Sequence, residues 1–87
     1  MNPRPSLVQA LVLHDVADDG VWFDVISGKW HSTHLRKDVS TQMEILHRDG
    51  YIRIGEGPIP STELTVAGVE ALGRRPLGEL VERLNRG

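Results

Sequence analysis

Between Leu7 and Ala17 the chain is apolar on most of a helical circumference: Leu7, Val8, Ala10, Leu11, Val12, Leu13, Val16 and Ala17. A strand of that length would be unusual, so the run predicts a helix over about 6–18. Ser6 and Gln9 have the spacing of a capping box, and Asp18-Asp19-Gly20 ends the segment. A helix apolar nearly all round needs cover on more than one side, from its own core and, on this reading, from a second copy of the chain. With 87 residues and no cysteine, only a thin core is available and no disulfide reinforces it. A single domain over residues 1–87 is expected, with Met1–Pro5 as a flexible lead-in.

Val21-Trp22-Phe23-Asp24-Val25-Ile26 reads as a short strand, a short second helix, or a strand entering a helix, and Gly28 stops it in each case. Leu35, Val39, Met43 and Leu46 then recur at spacings of four, four and three, predicting an amphipathic helix over 33–49 closed by Asp49-Gly50. Tyr51-Ile52-Arg53-Ile54 alternates like a strand. Gly55-Glu56-Gly57-Pro58-Ile59-Pro60 is loop chemistry, and Glu63-Leu64-Thr65 suits a returning strand. Thr65 also suits the cap of a helix through Val66, Val69 and Leu72. A last helix over about 76–85 places Leu77, Leu80, Val81 and Leu84 on one stripe. That stripe is a candidate dimerisation element. The expected class is α+β, mainly α.

The order of helix, ambiguous element, helix, hairpin and helix matches a winged helix-turn-helix with a two-stranded β-hairpin wing and a short C-terminal helix. Met43-Glu44-Ile45-Leu46-His47-Arg48-Asp49-Gly50-Tyr51-Ile52 resembles the end of the recognition helix and the first wing strand of the bacterial MarR and PadR regulator families. Glu63-Leu64-Thr65-Val66-Ala67-Gly68 resembles their second wing strand and following helix. The resemblance covers about residues 33–72 and implies a DNA-binding regulator.

Net charge is -2, from 10 Lys+Arg against 12 Asp+Glu, but it is segregated. Residues 1–27 and 54–73 each carry net -3, whereas 28–53 and 74–87 each carry +2. The basic middle segment holds the expected reading helix. Arg36 and Lys37, early in it, are placed to reach guanine edges or phosphates, with Ser40 and Thr41 one turn later. His34 before them and Arg53 on the first wing strand are further candidate phosphate contacts. A cross-strand pair with Glu63 competes for Arg53. Trp30 reads as a core plug.

Enzyme classes fail on inventory. No Gly-x-Ser-x-Gly elbow, dinucleotide fingerprint or phosphate-binding Gly-x-x-x-x-Gly-Lys motif occurs. His31 and His34 lack a third ligand at helical spacing, so no metal is expected. With those motifs missing no cofactor is expected either, and the chain is too short for a separate sensing domain, so no small-molecule effector is inferred. No apolar run approaches the roughly 20 residues of a membrane span. The expectation is a cytoplasmic, homodimeric, sequence-specific double-stranded DNA-binding regulator of a cell, mobile element or virus. A winged-helix module that binds protein instead of DNA is the alternative.

Overall fold

The computed structural model describes residues 5–74. Its elements are α1 (Leu7–Ala17), β1 (Val21–Asp24), β2 (Lys29–Ser32), β3 (Lys37–Asp38), α2 (Ser40–Arg48), β4 (Ile52–Gly55), β5 (Ser61–Leu64) and α3 (Val66–Arg74). The fold is α+β. The predicted C-terminal helix over 76–85 and most of the lead-in lie outside the described residues.

The capping box forms at the start of α1. Ser6 Oγ accepts from the Gln9 N–H at 3.2 Å, and Gln9 Oε1 accepts from the Ser6 N–H at 2.9 Å. Ala10, Leu11, Val12, Leu13, Asp15 and Val16 are all buried. The cover comes from one chain, because α2, α3, β1 and β5 pack around the helix. This corrects the argument that α1 needs a second subunit. Its apolar circumference is that of a central helix in a small core.

The ambiguous segment is strand β1, turned back on β2 by a hairpin. Trp22 lies opposite His31 and Phe23 opposite Trp30. The turn is tied by the Ile26 N–H to Asp24 Oδ1 at 2.9 Å and the Gly28 N–H to the Asp24 carbonyl at 2.8 Å. Gly28 supplies the left-handed φ of 71° that this turn requires. Trp30 is buried and meets Phe23 edge-to-face at 5.1 Å, so its role as a core plug is met.

The helix expected over 33–49 is shorter. Residues 33–36 form a turn, Lys37 and Asp38 pair with Ser32 and His31 as an edge strand, and α2 begins at Ser40. Three strands, forming an antiparallel sheet ordered β1-β2-β3, therefore come between α1 and α2 along the chain, although the two helices pack together. The two helices are not joined by a short turn. The spacing of Leu35 and Val39 imitates a helix, but those side chains reach the core from a turn and from the residue ahead of α2. Val39, Met43, Leu46 and Ile52 are fully buried, and Leu35, Ile54 and Leu72 pack on them. Leu11 joins a smaller cluster with Ala10, Leu7 and Leu35.

Beyond Gly50, whose φ of 82° ends α2, β4 and β5 pair as expected, with Ile52 opposite Leu64 and Arg53 opposite Glu63. Thr65 links this hairpin to α3. Its Oγ1 donates to the Gly50 carbonyl at 2.6 Å and accepts from the Gly68 N–H at 3.2 Å. A Cβ at Gly68 would collide with the Tyr51 carbonyl oxygen, which gives the Thr-x-x-Gly string its physical reason. The face of α3 differs from the one expected: Ala71 is buried and Ala67 and Leu72 half-buried against the core, while Val66 and Val69 are exposed.

Candidate nucleic-acid interface

The basic middle segment begins on β2. Lys29 Nζ lies 3.7 Å from Asp38 Oδ2 on β3. His31 stacks on Trp22 with ring centroids 4.9 Å apart, and its Nε2 is 4.0 Å from Asp24 Oδ2. Hydrogen bonds from the Ile26 N–H and the Ser27 hydroxyl hold the Asp24 carboxyl below the usual aspartate range.

The chain leaves β2 through a tightly held turn. The Arg36 N–H donates to the Ser32 carbonyl at 2.8 Å, and the Leu35 N–H donates to Ser32 Oγ at 3.0 Å. Arg36 occupies left-handed backbone at φ 54°. Arg36 and Lys37 are both exposed. Neither has an ion-pair partner among the described residues. Both belong to a turn and an edge strand, correcting their expected place on the reading helix.

Asp38 then opens α2. Its Oδ1 accepts the Ser40 N–H at 2.8 Å, and that bond, followed by one from the Ser40 hydroxyl, holds its carboxyl below the usual range. Ser40, an expected DNA contact, is half-buried and spends Oγ accepting the Trp30 N–H at 2.8 Å. Thr41, Glu44, His47 and Arg48 make up the exposed face of α2. Arg48 Nε lies 3.1 Å from Asp49 Oδ1.

Arg53 belongs to the second sheet and takes the competing option, with Nη1 3.5 Å from Glu63 Oε1 directly across the hairpin. His34 is also committed elsewhere. Its Nδ1 bonds Asp15 Oδ1, while Asp15 Oδ2 accepts from the Ser32 hydroxyl. Asp15 is 3% exposed, a buried carboxylate with both oxygens engaged. The bond to Asp15, followed by its charge, raises the His34 pKa above 6.5. The serine is bonded to the aspartate and not to the imidazole, so these three residues do not form the relay of a hydrolase.

The structure thus brings Arg36, Lys37, Ser40 and Thr41 together around the start of α2, and sends His34 and Arg53 to acidic partners. Asp15 is the residue that reading the sequence missed. A lone carboxylate between Leu13 and Val16 in a helix apolar nearly all round was the available signal. Comparison with family profiles, characterised proteins and solved structures yields no match to this chain.

Proposed function

We propose that this chain is a sequence-specific double-stranded DNA-binding protein, a small transcriptional regulator of winged-helix type that acts by occupying its site. The observation that carries the reading is the contrast among its cations. Lys29, Arg48 and Arg53 each sit beside a carboxylate. Arg36 and Lys37, directly ahead of α2, are exposed and unneutralised among the described residues. Cations free of acidic partners are what phosphate contact needs, and they offset a net charge of -2 locally.

On this reading α2 faces the major groove, and Arg36 and Lys37 hold phosphates at its leading edge. Base edges fall to Thr41, Glu44 and His47, with Glu44 suited to a cytosine amino group. The β4–β5 hairpin is the wing. Arg53 reaches a phosphate only by exchanging Glu63 for it, a small cost because an exposed ion pair is worth about 0–1 kcal/mol. A homodimer belongs to the same proposal and implies half-sites about 34 Å apart. Exposed Val66 and Val69 on α3 support it.

Selection of duplexes from a random pool tests the class, with a reproducible enriched motif as the expected result. Arg36→Ala and Lys37→Ala should each flatten the log–log salt dependence by about one unit per phosphate lost, without changing the preferred motif. If nothing is enriched and neither variant differs from the parent, the protein-interaction reading takes its place. One observation favours that alternative: Trp22, Val25 and Ile26 leave an apolar hairpin exposed.

A further inference from the structure

The Asp15–Ser32–His34 cluster lies behind the turn that presents Arg36 and Lys37. Asp15 comes from the last turns of α1, Ser32 ends β2, and His34 is two residues before Arg36. Ser32 has three bonds here: its hydroxyl donates to Asp15, the same oxygen accepts the Leu35 N–H, and its carbonyl accepts the Arg36 N–H. The Thr33 N–H donates to the Gly20 carbonyl at 2.8 Å. Gly20 leaves room for the cluster, since a Cβ there would overlap Asp15 Oδ1 and lie 2.9 Å from His34 Nδ1. Every residue from 32 to 36 is therefore held: Ser32, Thr33, Leu35 and Arg36 through backbone groups, and His34 through its ring's bond to Asp15.

We propose that Asp15 is a positioning residue for the DNA contact, clamping Ser32 and His34 so that Arg36 and Lys37 project in fixed directions, and that the clamp tightens when His34 takes a proton. The inference rests on the DNA-binding reading and adds its regulation. Among the described residues, the charged groups bearing on His34 are Asp15 from α1 and Asp18 just beyond it, with Asp18 Oδ2 4.0 Å from His34 Nε2. Both are acidic, so protonation turns a single hydrogen bond to Asp15 into a charge-assisted one and adds attraction between Nε2–H and Asp18. A neutral imidazole keeps one N–H for Asp15 and loses the attraction to both carboxylates. The clamp is tightest below pH 6.5 and loosens as pH rises through the higher pKa of His34 in the folded protein.

The experiment has two independent readouts on the full chain. In the first, the His34 ring is titrated by NMR while the Arg36 amide protection factor is followed without DNA. The expected result is a His34 midpoint above 6.5, with Arg36 protection falling through the same range. Asp15→Asn should bring the midpoint back to the ordinary histidine value or below. His34→Gln alters an exposed side chain, keeps a donor for Asp15, and should make Arg36 protection independent of pH. In the second readout, affinity for the selected duplex is followed across the same range at fixed salt, and should fall about fivefold or more as His34 deprotonates. The His34→Gln variant should lack that step.

Arg36 protection that tracks the titration while no duplex binds at any pH supports the clamp and removes the DNA reading. Duplex binding that depends on Arg36 and Lys37, with neither readout moving across the His34 titration, overturns the clamp and leaves the DNA reading standing. A His34 midpoint at or below 6.5 in the parent also overturns it.

Discussion

Arg36 combines an unfavourable backbone with an exposed charge that has no ion-pair partner among the described residues. Left-handed φ costs a residue bearing a Cβ roughly 1 kcal/mol relative to glycine. Packing offers no reason for arginine at this position, because the side chain is in solvent. Arg36→Gly is therefore expected to leave stability unchanged or raise it by up to about 1 kcal/mol, while weakening duplex binding. Urea unfolding and a binding titration on one preparation check both halves, and a variant that loses stability would show that the turn needs the side chain. Leu46 is the opposite kind of residue. It is 1% exposed at the centre of the core, and Leu46→Ala should cost about 2–5 kcal/mol, a large share of what so small a domain has. A loss below about 1 kcal/mol would mean that α2 packs in another phase.

At the level of elements, what was legible followed from periodicity and turn chemistry. The buried helix, the hairpin of β4 and β5, and the cap at Thr65 are each written in a few adjacent residues. The start of α2 was not, because Leu35 and Val39 keep a helical spacing while the backbone between them turns left-handed at Arg36. That conformation is imposed by bonds to Ser32 and, through it, to Asp15 on another element, so no local pattern announces it. The candidate site suffers likewise: the cations were visible as residue types, but which of them were neutralised depended on cross-strand neighbours such as Asp38 and Glu63. Ser40 illustrates the gap. It reads as a polar helix residue free to meet DNA, yet it joins α2 to β2 by accepting the Trp30 N–H. Ser40→Ala should cost about 1–2 kcal/mol through that orphaned donor. If duplex affinity, measured where both proteins are folded, is unchanged, Ser40 is a structural joint only; a loss of motif preference would return it to the reading surface.

The whole molecule carries acidic and imidazole devices that act at opposite ends of the pH scale. Asp24 and Asp38 are held below the ordinary value of 3.8 by hydrogen bonds to their charged forms. Their contribution to stability is present above 3.8 and is lost as pH falls through their lower folded-state values. His34 has the reverse sign. Its pKa is raised in the folded state, so its contribution is complete below 6.5 and is lost as pH rises through the folded value. Between those limits all three groups contribute together. The expected profile of unfolding midpoint against pH is a plateau from about pH 4 to 6.5, with a decline on each side. His34→Gln should flatten the alkaline decline and leave the acid side as it was, because Asp24 and Asp38 bond to residues of the β1–β2 turn and the α2 start. Thermal or urea midpoints over pH 3–9 at constant ionic strength make the comparison. A parent profile that keeps rising above pH 7 would show that His34 gains nothing from Asp15 on folding, and the short, buried link between α1 and the cationic turn would then be a matter of packing alone.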